Sequence, residues 1–151
     1  MDNEWFTKYC RNFPTTLQTK LLNEEIHFPD ETKYDYEPIL AYRGIKREQD
    51  DDTPVNYNDM LSYYEQGKVP RGVLHTGNSI NDPLYYAISL FDNFDMLKQC
   101  FKFPRKNQKV AVGYVYKEGG PQCRSRDGHI SWWLFENVSF DGFEIRSDIN
   151  E

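Results

Sequence analysis

Aromatic side chains dominate this chain: eleven Tyr, ten Phe and three Trp make up 16% of its 151 residues. Each ring carries a large apolar area that water disfavours, and disordered chains hold few of them. The chain therefore has to fold. At 18.0 kDa it has the length of a single domain, expected to span residues 1–151.

Charge narrows the partners. Eighteen Lys and Arg against 24 Asp and Glu give a net charge of −6. That balance excludes the phosphate neutralisation on which non-specific nucleic-acid binding depends, and it disfavours anionic lipid surfaces. No run approaches the roughly 18 apolar residues of a membrane span. The acidic start Met1-Asp2-Asn3-Glu4 is unlike a secretory signal. Cys10, Cys100 and Cys123 are scattered, without CxxC spacing, which fits a reducing cytoplasm and neither a disulfide frame nor a zinc site. None of the three histidines stands i, i+4 from another on a helix, so no metal is expected.

Residues 1–36 read as a helical N-terminal segment and 37–151 as an α+β core. Trp5, Phe6, Tyr9, Cys10 and Phe13 form an apolar stripe on a short helix. Pro14 and Thr15 then break it and start a second helix, whose buried face is Leu17, Leu21 and Leu22. Ile39 to Ile45 alternates as a strand and sets Arg43 on the face of Ile39 and Ala41, an unusual place for a guanidinium. Asp50-Asp51-Asp52 reads as a solvated loop, and Asn56 to Gln66 as a short helix stopped by Gly67. Val73-Leu74-His75 reads as a brief strand.

Asp82-Pro83 predicts the start of the longest helix, with Leu84, Ala87, Ile88 and Phe91 at i, i+3, i+4 and i+7. Lys109 to Lys117 alternates as a strand. Glu118 to Gly128 reads as a Gly-rich loop, Ile130 to Phe135 as a central strand covered on both faces, and Gly142 to Arg146 as a closing strand. Helices first and strands last predict an α+β fold: N-terminal helices packed on a mainly antiparallel sheet.

Familiar catalytic signatures are absent. No GxSxG elbow, GxGxxG or GxxxxGK[ST] occurs in the chain. One constellation stands out: Tyr42-Arg43-Gly44 at the end of the first strand, His75-Thr76-Gly77-Asn78-Ser79 ahead of the expected helix, and the Trp132-Trp133 strand ending at Glu136. This order resembles the ADP-ribosyltransferase superfamily, over roughly residues 38–146. Its toxin branch opens on an aromatic-Arg-Gly strand, continues with a Ser-Thr-Ser strand feeding a helix, and carries Glu-x-Glu before a closing strand.

The resemblance implies an ADP-ribosyltransferase-like fold that binds NAD. Arg43 would hold a phosphate, flanked by Tyr42 and Gly44. Ser79 would stand for the second motif and Tyr85 or Tyr86 would stack on the cofactor. His129 or Glu136 would be the polar group at the reacting ribose, which makes Arg43, His129 and Glu136 the catalytic candidates. A second branch uses a histidine motif that Leu74-His75-Thr76-Gly77 echoes. No Glu-x-Glu precedes Phe143-Glu144-Ile145, so the implied enzyme is a degenerate one.

Each feature also has a plainer reading. Arg43 could end its strand in a surface salt bridge, His75 could be a turn residue, and Trp132, Trp133, Tyr85 and Tyr86 could be packing. A non-enzymatic function fits the composition as well: an acidic immunity or inhibitor protein that binds a basic toxin or defence protein. Its negative field would come from Asp50-Asp51-Asp52, Glu24-Glu25 and Asp30-Glu31, with Tyr and Trp as anchors.

Overall fold

A computed structural model describes residues 3–67 and 79–146. The architecture is α+β, as expected: six strands form one antiparallel sheet, with helices packed on it. Helix α1 (Asn3–Tyr9) runs into a 3₁₀ turn (Cys10–Asn12), and α2 (Thr15–Leu22) follows Pro14. Strand β1 (Ile39–Lys46) leads through a 3₁₀ turn (Tyr57–Asp59) to α3 (Tyr63–Gln66). Then come β2 (Ile88–Phe91), α4 (Phe94–Phe101), β3 (Gln108–Val115), β4 (Gln122–Arg124), β5 (His129–Trp132) and β6 (Glu144–Arg146). The spatial order is β4-β5-β2-β1-β3-β6. Among the described residues, no helix is long and apolar enough to cross a membrane.

Several expected elements differ. The long helix from Asp82 does not form. Its start signal works for one turn only: Asp82 accepts a hydrogen bond from Leu84 N at 2.9 Å, and Pro83–Tyr86 makes a 3₁₀ turn. Ala87 is then extended, and Ile88–Phe91 pairs with β5 as a strand. A segment buried on both faces satisfies helical and strand spacing alike, and here the ladder decides. The helix restarts at Phe94, capped by Asn93.

The expected 56–66 helix is two short pieces, each opened by its own capping box at Asn56 and Ser62, and Gly67 ends the second at φ 69°. The 118–128 loop contains β4. Leu22 is exposed rather than buried. The Val73-Leu74-His75 strand lies outside the described residues.

The rings are mostly core. Trp132 packs with Ile88, Leu90, Ile130, Phe140 and Phe143 on one sheet face. Val110, Val112 and Phe91 meet α4 through Phe94 and Leu97 on the other. Trp133 and Phe135, just beyond β5, gather Phe13, Leu17 and Leu21 and so anchor the N-terminal helices. Trp132 and Trp133 are both fully buried, with indole N–H groups donating to Gly120 O and Pro83 O at 3.1 and 2.8 Å.

The Asp50-Asp51-Asp52 loop is tied down at Asp51, while Asp50 and Asp52 stay exposed. Buried Arg47 reaches Asp51, and buried Lys109 lies 3.5 Å from Asp52 while donating to Asp51 O. Arg47 also grips Asp59 through Nε and Nη2 at 2.9 and 2.7 Å, with both side chains buried. Removing one member of such a pair leaves an uncompensated buried charge. Asp59→Asn is therefore expected to lower the unfolding free energy by about 3–5 kcal/mol in urea titrations, whereas a change under about 1 kcal/mol would mean that the pair is solvated.

Candidate functional site

The sheet is nearly split between β1 and β2. Strand β1 pairs with β3 through eight residues, and β2 with β5 through four. Between β1 and β2 the register holds a single pair, Tyr42↔Phe91. Beyond it the strands diverge, and the Arg43 side chain spans the opening. Its Nη1 donates to Ser89 O across the gap at 2.8 Å. Its Nε donates to Asp59 O at 2.9 Å and its Nη2 to Leu61 O at 3.4 Å, on the connection that leads to α3.

Around this gap lies a cleft of about 600 Å³, within the usual range for small-molecule sites. Arg43 points by register to the face of Ala111, whereas Ser89 and His129 share the face of Tyr42 and Phe91. Both sets line the cleft, so it passes through the sheet. Ser89 Oγ and His129 Nε2 are hydrogen-bonded at 3.0 Å. Tyr63, Phe91 and Phe101 supply ring surface, Lys46 an exposed ammonium, and Cys100 an exposed thiol. Gly44 is needed here because a Cβ would collide with the Phe101 ring, which closes one wall.

The electrostatics favour an anion. Burial pushes the Arg43 pKa down to about 10, with Tyr63 and Asp59 opposing, so the guanidinium stays charged at neutral pH. Its described partners are backbone carbonyls. The one carboxylate among the described lining residues, Asp59, is spent on Arg47. A guanidinium has five N–H donors, so donors remain after its three bonds. Burial also holds His129 below the ordinary imidazole range, against the pull of Asp127.

Of the sequence candidates, Arg43, Gly44 and His129 share this cleft. Tyr42 does not line it: it faces α4 and packs on Phe94 at 5.6 Å. Tyr85 and Tyr86 are buried on the side of the N-terminal helices, and the Tyr86 hydroxyl donates to Ile80 O at 2.7 Å. Glu136 is exposed and lines a different cavity, because its backbone N–H is held by Asn12 O on the helical side. His75 and the Ser79 side chain lie outside the described residues. Ser89, Lys46 and Tyr63 are cleft residues that the sequence did not single out. Only a period-two reading of Ile88-Ser89-Leu90 would have placed Ser89 on a strand beside β1. Among the described residues, no group of three or more His, Cys, Asp or Glu could hold a metal ion.

No protein-family model, curated protein or solved structure matches the chain. The functional reading therefore rests on the chemistry of the cleft.

The depressed His129 pKa has a signed consequence. Above the ordinary imidazole value of about 6.5 both folded and unfolded chains hold it neutral. Below that value the unfolded chain takes up the proton first, so stability falls with pH until the folded value is passed. His129→Gln is expected to flatten this decline between about pH 7 and pH 5 in urea titrations. Parallel pH profiles for the two chains would show that the ring titrates as in water.

Proposed function

We propose that this chain binds NAD, or its ADP-ribose part, in the Arg43 cleft, as an ADP-ribosyltransferase-like domain that does not turn the dinucleotide over. The observation that carries this reading is Arg43: a half-buried cation at the split of the sheet, in a cleft that Lys46 also lines, with no carboxylate side chain bonded to it among the described residues. A diphosphate supplies the missing negative charge, and a guanidinium fork suits its oxygens. The Ser89–His129 pair offers hydroxyl and imidazole groups at hydrogen-bonding distance from each other, suited to ribose hydroxyls. Tyr63 and Phe101 offer ring surface for a base or nicotinamide.

Catalysis has no comparable support. Cleavage of the nicotinamide–ribose bond builds positive charge at the sugar, which a nearby carboxylate would stabilise. Asp59 is held by Arg47, and Glu136 lines the other cavity. The inhibitor reading loses part of its expected field at Asp51, which lies against Arg47. Glu24, Asp30 and Glu31 remain exposed for it.

Calorimetric titration with NAD and with ADP-ribose tests the proposal. The expected dissociation constant is on the order of 0.1 mM, without release of free nicotinamide. Lys46→Ala and Arg43→Lys are each expected to weaken binding about tenfold, the worth of one charge-assisted hydrogen bond. Lys46 is exposed, so its replacement leaves the fold intact. Absence of binding at about 10 mM NAD, or binding indifferent to both substitutions, would overturn the reading. Steady release of nicotinamide would overturn its non-catalytic part.

A further inference from the structure

A second cavity, of about 120 Å³, lies between the start of α2, α3 and the stretch after β5. It is separate from the Arg43 cleft, although Ile88 lines both. Ring surface from Tyr57, Tyr64, Tyr86 and Phe135 forms much of its wall, and the Tyr64 and Tyr86 centroids stand 5.1 Å apart. Two carboxylates, Glu65 and Glu136, complete the lining.

The charge of this lining is one-sided. Among the described lining residues there is no Lys, Arg or His. Neither glutamate takes part in an ion pair among the described residues. Glu65 accepts from Ser62 N at 3.0 Å and from the Tyr57 hydroxyl, which fixes its carboxylate in place. Partial burial raises the Glu65 pKa, the Ser62 N–H bond opposes the rise, and the Glu136 charge adds to it. The first residues of α2 also line the pocket, but a helix N-terminus carries only about half a positive charge against two carboxylates.

We propose that this pocket binds a small organic cation, an ammonium head carrying methyl groups. Ring faces attract such a cation through their quadrupoles, and the methyl groups suit an apolar wall. A bare ammonium ion holds its water too strongly to enter. An anion is repelled by both glutamates, and a neutral apolar group gains nothing from their field.

Calorimetry and side-chain NMR with choline test this, beside its neutral isostere in which a tert-butyl group replaces the trimethylammonium. Choline is expected to bind with a dissociation constant on the order of 1 mM, and the isostere at least tenfold more weakly. Glu136→Gln, at an exposed position, and Glu65→Gln are each expected to weaken choline binding about threefold or more. Equal binding of the isostere, no binding at about 100 mM choline, or indifference to both substitutions would overturn the proposal. The result is separable from the NAD reading, since Glu136→Gln leaves NAD binding unchanged if the two cavities act independently.

Discussion

The Arg43 guanidinium holds together the part of the molecule where the sheet comes apart. Strands β1 and β2 share one residue pair and then diverge, which leaves backbone groups that an intact ladder would have satisfied. Arg43 answers one of them at Ser89 O, and on the other side it pins Asp59 O and Leu61 O. The opening between the strands and the segment that roofs it are thus fixed by one side chain. A neutral residue in its place would leave three carbonyls without these donors. A free carboxylate beside it would close the gap with an ion pair and remove the reason for an anion to bind.

That arrangement depends on a second cation. Arg47, four residues along the chain, takes the Asp59 carboxylate in a buried pair. The same residue therefore gives its carbonyl to Arg43 and its carboxylate to Arg47. This division leaves the field of Arg43 directed at the cleft instead of cancelled inside the protein. Lys109, also buried, anchors the Asp51–Asp52 backbone next to it. The acidic run stays a solvated loop at Asp50 and Asp52 and is held at Asp51, by the Arg47 guanidinium and the Lys109 ammonium.

The fold class is legible in the sequence because β1 and β3 are short runs rich in Val, Ile and Tyr, bounded by polar loops, which favours strands. Arg43 stands out because an arginine on the face of Ile39 and Ala41 has to reach something specific. His129 is legible as the polar opening of a strand that is apolar but for Ser131. Ser89 is hidden: apolar residues at 84, 87, 88 and 91 fit a helix as well as a strand covered on both faces, and on that helix Ser89 has no relation to β1. Glu136 misleads through its nearness in sequence to His129. Strand β5 ends at Trp132, and the chain then turns to bury Trp133 and Phe135 against the N-terminal helices, which carries Glu136 out of the Arg43 cleft into the second cavity.

The central claim is that the charge of Arg43 is available to a bound phosphate. Side-chain ¹⁵N NMR of the Arg43 guanidinium during titration with ADP-ribose tests it most directly, because Nε is held by Asp59 O in the free protein. The Arg43 resonances are expected to shift and saturate with the same dissociation constant that calorimetry gives. Arg43 resonances that stay fixed while ADP-ribose binds, or while none binds at all, would contradict the claim.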